Sequence, residues 1–329
     1  MPYPKPLSEK SIAKLYEQSG LSAEAREFLH RLFAACANLY GAIALRNVWP
    51  VYQELENAPK LRRKDLTAFS SIVRREKQPY FVFEMDEMYE TGPYSELDRH
   101  IVSKELVSRG YGKFYRFYEL MDQVGQKPYC VPNDFLSFAE PMPSDKESAL
   151  LTFLSDLVST EEECVPKYGK PIPNENKGKR LGEFSFLNAD ERFEIEYMKR
   201  PSDKAALLEE CSATEAEKIM RVFKRRENIG NTTPIIALQR IVDELNEVGV
   251  LMEKAQVEEL LRLVMDYHNN SRLWCLSGWK SSELAQMYRS NGPSTIYFGP
   301  NMEKAFADGS LDREEVIREI RKLGMEVAE

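Results

Sequence analysis

Histidine is nearly absent from this chain, with 3 in 329 residues: His30, His100 and His268. No two stand at HxxxH or HExxH spacing, so a zinc hydrolase would lack its ligands. Cysteine is also sparse. The 5 present, Cys36, Cys130, Cys164, Cys211 and Cys275, are odd in number and form no CxxC pair. That excludes a disulfide frame and a zinc knuckle, and it points to a reducing, cytoplasmic setting with the thiols packed as small hydrophobes. No GxGxxG and no P-loop occurs. The nearest approach, Gly110-Tyr111-Gly112, has Tyr115 where a third glycine is needed and reads as a turn between helices. No apolar run approaches the ~20 residues that span a bilayer. Met1-Pro2-Tyr3-Pro4-Lys5-Pro6 has no apolar core for a secretory signal. Positive charge is in deficit, 45 Lys and Arg against 53 Asp and Glu, for a net charge of -8. This balance opposes sequence-independent attraction to phosphate backbones and anionic membranes.

What is present is enough for real cores: 43% apolar and 30% charged residues, over a length that fits two or three domains. Phe28, Leu29, Leu32, Phe33, Cys36 and Leu39 recur at helical steps between Ser22 and Tyr40, and Gly41 ends that helix. Ala42 to Leu45 reads as a brief strand. A second helix covers Arg46 to Glu56 with Pro50 near its first turn, and a third covers Lys64 to Arg75. Pro79 to Met85 alternates as a strand. Helix, strand, helix, helix, strand is the order of a winged helix, so 1–142 is expected to form a winged-helix-like N-terminal domain. Such an arrangement is also a general packing solution and does not by itself imply DNA.

Helical pieces are expected at Asp98–Ser108 and Lys113–Val124, then an extended Pro128–Pro132 and a short helix before Pro141. Ser144 and Glu147 form a capping box for a helix to Leu157. Residues 159–180 lose periodicity and read as a linker or long surface excursion. Phe184 to Tyr197 suggests a hairpin, with a helix over Ala189–Lys199 as the alternative. A middle region, 143–200, thus holds a capped helix, a linker and a hairpin. The remainder, 201–329, is a helical C-terminal domain. Its Ser212-Ala213-Thr214-Glu215 reads as a second capping box, and the stripes Leu238, Ile241, Val242, Leu245 and Val257, Leu260, Leu261, Val264, Tyr267 are core faces. The fold class is therefore mainly α with small β elements.

Two constellations carry functional interest. Arg62, Arg63 and Lys64 stand at the start of the third helix and Arg74 and Arg75 at its end, which in a winged helix would place cations at the major groove. Against nucleic acid, Glu84, Asp86, Glu87 and Glu90 stand on the would-be wing, where phosphates would be repelled. That acidic run lacks EF-hand spacing and reads as a solvated turn, so no metal is expected. The second constellation is Tyr267 to Leu284, where two of the three tryptophans meet an Asn-Asn-x-Arg group on a connection between helices. Asn269 and Asn270 suit a left-handed helix end. His268 suits the C-terminal dipole, and with Cys275 it has no visible orienting third group. Asn269, Asn270, Arg272, Trp274 and Trp279 are read as a partner-binding surface, since exposed Trp and Arg are common anchors. The alternative is a capped, well-packed connection docking the next helix, which starts at Ser281 or Ser282.

Asn269-Asn270-Ser271-Arg272, Gly278-Trp279 and Glu283-Leu284 resemble a turn in bacterial proteins, mostly from Firmicutes, related to those with a terminal SEC-C module. Tyr40-Gly41-Ala42-Ile43-Ala44-Leu45 and Lys127-Pro128-Tyr129-Cys130-Val131-Pro132 resemble two further segments of that family. The Cys-rich metal module has no counterpart here, where the sequence ends Gly324-Met325-Glu326-Val327-Ala328-Glu329, so zinc binding is not carried over. The resemblance implies a two-part organisation and a cytosolic bacterial origin, with no activity attached.

The sequence thus leads to a non-enzymatic interaction or regulatory protein, with no catalytic residues and no cofactor, whose partner is another protein. A nucleic-acid-binding regulator using Arg62, Arg63, Lys64, Arg74 and Arg75 is the second reading. A hydrolase is the third, and it requires a pocket with perturbed carboxylates near Glu84–Glu90 or His268–Arg272.

Overall fold

The computed structural model describes residues 3–89, 94–108, 112–140, 142–166, 170–186, 204, 208, 211–230, 233–290, 295–296, 298, 302, 305–306, 309–322 and 326–327. The chain divides into two compact units, Met1–Trp279 and Lys280–Glu329. It is mainly helical with small sheets.

In the first unit α1 (Glu9–Ser19) and α2 (Ala23–Tyr40) start at Ser8 and Ser22, whose side chains accept from backbone N–H groups of the first turn. Next come β1 (Ala42–Ala44), α3 (Leu45–Glu54), α4 (Arg63–Val73), β2 (Tyr80–Phe83), the short α5 (Met85–Met88) and β3 (His100–Ser103). Pro50 lies inside α3 rather than in its first turn. The strands form one antiparallel sheet in the order β1-β3-β2.

Strand β3 replaces the helix expected over Asp98–Ser108, where only the short 3-10 turns Glu96–Asp98 and Lys104–Leu106 flank it. The cause is burial on both faces. Ile43, Ile101 and Val82 stand in register on one side of the sheet and join a core with α2, α3 and α4. Ala42 and Val102 turn the other way into a second core. A strand covered on both faces shows no polar alternation.

That second core gathers α6 (Tyr115–Val124), α7 (Asp145–Asp156), α8 (Glu215–Ile229), α9 (Pro234–Glu247) and α10 (Lys254–Asn270). It runs from Ala42 to Cys275, so the sheet and the later helices share one apolar interior. Ser144 caps α7 as expected. The α8 cap is Thr214 with Glu217 rather than Ser212 with Glu215. Here Glu215 is needed elsewhere, its Oε2 accepting from the Phe186 N–H.

The excursion at 159–180 is pinned to the body. Thr160 and Glu161 donate from their backbone N–H groups to the Gly249 carbonyl, and buried Ser159 donates from Oγ to the Val248 carbonyl at 2.8 Å. A two-residue antiparallel pair, β4 (Glu163–Cys164) with β5 (Ile172–Pro173), closes it. The hairpin expected over Phe184–Tyr197 lies mostly outside the described residues, as do Gly110, Tyr111 and Glu90.

The second unit holds α11 (Ser281–Ser290), β6 (Thr295–Ile296), α12 (Arg313–Lys322) and β7 (Glu326–Val327), with β6 and β7 parallel. Arg313 stacks over Phe298 and Phe306.

Candidate functional site

The aromatic connection after α10 is built from the helix end outward. Asn269 and Asn270 lie within α10 rather than beyond it, and Asn270 Nδ2 donates back to Asp266 Oδ1 at 2.6 Å. The left-handed residues come later, at Ser277 and Gly278. Between them a 3-10 turn, Trp274–Leu276, drives the Trp274 ring into the interior. Trp274 is 5% exposed and its Nε1 donates to the Asn38 carbonyl at 2.8 Å. Gly41, with φ +69°, lies directly against that ring, and a Cβ there would stand 2.5 Å from two ring carbons. Gly278 meets the Tyr40 ring in the same way.

The half-buried Trp279 donates from Nε1 to the Pro128 carbonyl at 2.8 Å. Arg272 Nη1 donates to the Gly278 carbonyl at 3.0 Å and reaches Cys130 Sγ at 3.2 Å. Tyr40 Oη donates to the Cys130 carbonyl, and the Cys130 N–H to the Ser277 carbonyl. So the segments at 38–45, 127–132 and 267–279 converge on one junction. Of the five residues read from sequence as partner-binding, Arg272, Trp274 and Trp279 join it, while Asn269 and Asn270 are exposed at the helix end.

The junction also contains the orienting group that sequence did not reveal. Glu227 of α8, its side chain 1% exposed, accepts from or pairs with His268 Nδ1 at 2.6 Å. Cys275 Sγ hydrogen-bonds the Glu227 carbonyl rather than an imidazole nitrogen. Burial pushes the Cys275 thiol up to about 11. A thiol held protonated at neutral pH is a packing group and a poor nucleophile.

The basic flank of α4 divides into two ends. At the C-terminal end Arg74 is spent internally: Nη1 binds Glu84 and Nη2 binds Glu87 at 2.6 Å. The adjoining Arg99 is buried and donates to Ser70 Oγ and Ser71 Oγ of α4 while approaching Glu84 and Glu96. The acidic run beyond β2 therefore folds back onto α4. Burial raises the Glu87 carboxyl, against the lowering effect of the Glu84 backbone N–H and Arg74. At the N-terminal end Arg62, Arg63 and Lys64 are exposed, and Arg75 is exposed past the helix end. Asp65 closes the helix start by accepting from the Arg62 N–H. The Arg63 guanidinium lies 5.7 Å over the Trp49 ring, and Trp49 packs on Tyr52 at 5.1 Å. Trp49 escaped the sequence reading because the Arg63 that stacks on it comes from a different helix.

A groove of about 840 Å³ lies between α6, α8 and α9. It draws guanidiniums from three helices: Arg116, Arg225, Arg226 and Arg240. On its floor Arg226 Nη1 meets Glu244 Oε1 at 3.4 Å. Burial lifts the Glu244 carboxyl to about 7, with Arg226 acting the other way. The cavity and perturbed carboxylate required of a hydrolase thus occur together, but away from Glu84–Glu90 and His268–Arg272. Among the described residues lining the groove there is no His, Cys, Ser or Thr. Among the described residues no cluster of three or more His, Cys, Asp or Glu could hold a metal, and no helix is long and apolar enough to cross a membrane. The chain matches no family model, no curated protein and no solved structure.

Proposed function

We propose that this is a non-enzymatic interaction or regulatory protein that binds another protein through the exposed start of α4. Arg62, Arg63 and Lys64 form the cationic rim and Trp49 with Tyr52 the aromatic floor. The single observation that carries this is the stacking of Arg63 on half-buried Trp49, because Trp, Tyr and Arg together are the residues that dominate protein interfaces. The partner presents carboxylates to this rim. Residues 1–142 are read as winged-helix-like: the order α2-β1-α3-α4-β2-α5-β3 within them and the sheet order β1-β3-β2 support it. In the same reading Arg272, Trp274 and Trp279 serve the partner surface indirectly, by fixing the frame that carries it, while Asn269 and Asn270, exposed at the end of α10, remain accessible to a partner. Kinship with the SEC-C-related bacterial proteins and a cytosolic setting belong to this proposal.

Nucleic-acid binding is the second reading, favoured by the exposure of Arg62, Arg63, Lys64 and Arg75. Arg74 counts against it, since its charge is already met by Glu84 and Glu87. The experiment pairs capture from nuclease-treated native cytosol with anisotropy on labelled duplex DNA and RNA at low salt. A captured protein lost with Arg63→Glu and with Trp49→Ala, and no shift in anisotropy, supports protein binding. Salt-sensitive nucleic-acid binding abolished by Arg63→Glu replaces it with the second reading.

A further inference from the structure

The groove between α6, α8 and α9 is lined, among the described residues, by five basic and five acidic side chains, but their pairing is uneven. Three of its carboxylates have hydrogen-bond or ion-pair partners within the fold. Glu215 Oε2 accepts from the Phe186 N–H at 3.0 Å, Asp243 Oδ1 from Gln239 Nε2 at 2.8 Å, and Glu244 faces Arg226. By contrast, Arg225 and Arg240 line the groove with no hydrogen bond and no ion pair among the described residues. Arg225 is half-buried, and burial followed by the nearby Arg116 guanidinium lowers its pKa. Half-buried Arg225 feels Glu105 and Glu244 only through space, with no carboxylate of the described residues in direct contact, so its desolvation is incompletely offset, and an anion seated between it and Arg240 lowers that cost.

We infer that this groove binds a small organic anion, with Arg225 and Arg240 gripping a phosphate or carboxylate and the apolar wall holding the body of the molecule. The volume suits a small-molecule site. The planar guanidinium fork matches both kinds of oxyanion in a bidentate contact. Ile219, Val222, Ile229 and Val248 supply the apolar wall. The site is separate from the Trp49–Arg63 surface, so each can fail without the other.

The test titrates phenyl phosphate and benzoate separately into the full chain by calorimetry, with inorganic phosphate and sodium chloride at matched ionic strength as references. One saturable site per chain is expected for at least one aromatic probe. Arg225→Gln with Arg240→Gln should weaken it at least tenfold, while Lys254→Gln, on the exposed face of α10, leaves it unchanged. Whichever probe binds more tightly names the oxyanion. In parallel, the methyl resonances of Ile219, Val222 and Ile229 in the unaltered protein should shift on titration, a readout independent of how the variants fold. Absence of saturable binding for both probes, chloride acting as well as either, or shifts confined to other methyls would overturn the inference.

Discussion

His100 shows how one side chain's surroundings become a pH response. At the start of β3 its ring is buried edge-to-face against Phe117, with Nδ1 donating to the Asp98 carbonyl at 2.8 Å. Burial, then Arg46, depresses its pKa to about 4. Between pH 4 and 6.5 the unfolded chain takes up a proton that the folded chain refuses. The associated stability is full above pH 6.5 and declines as the pH falls toward 4, by about 3 kcal/mol in all. Urea unfolding across that range should show the decline in the native chain and a flatter profile in His100→Leu. Glu244 works in the opposite direction. Its carboxyl is raised from an ordinary value to about 7, so its ionisation on going from pH 4.5 to 7 disfavours the fold. Glu244→Gln should therefore be more stable than the native chain above pH 7, by about 2 kcal/mol given a side chain 28% exposed. Gly41→Ala joins a positive φ to a collision with the Trp274 ring. The expected loss is about 3 kcal/mol, read as a lower urea midpoint at unchanged slope.

Among the elements, α4 and the acidic segment that follows β2 act as a pair. Arg74 is 11% exposed and Glu87 5%, so removing one partner leaves the other charged and buried. Arg74→Met should cost about 3 kcal/mol, and Arg74→Met with Glu87→Leu should recover most of it in a double-mutant cycle. The elements also differ in how openly the sequence announces them. Helices α2, α7 and α10 are legible because their stripes and, for α2 and α7, their serine caps are local. Strand β3 is not, because covering both faces erases its alternation. The cap of α8 is displaced by two residues because Ser212-Ala213-Thr214-Glu215 and Thr214-Glu215-Ala216-Glu217 satisfy the same local rule, and a distant N–H at Phe186 decides between them.

For the molecule as a whole, the decisive fact is the apolar interior shared by Ala42, Phe83 and Val102 with Leu245, Val264 and Trp274. A chain ending at residue 142 would leave only α6 of the second core's helices on that face of the β1-β3-β2 sheet and expose the apolar residues that meet α7 to α10. It is expected to lose cooperative unfolding, seen as a broadened thermal transition by circular dichroism beside the sharp one of the full chain. The same long-range assembly explains why the candidate sites are only half legible. Tryptophan and arginine at 272–279 stand out in sequence, but their acceptors are carbonyls at Asn38, Pro128 and Gly278, and a carbonyl has no letter of its own. The arginines of the groove look like ordinary solvated charges until three helices bring them together.

Donors that read main chain also shape how the gene can repair itself. When Trp279→Ala breaks the hold on Pro128, no codon change at position 128 can restore it, because every amino acid offers the same oxygen there. Revertants selected from such a mutant should therefore arise at codon 279 itself, or at remote sites that stabilise the fold generally, and not among the residues the indole once touched.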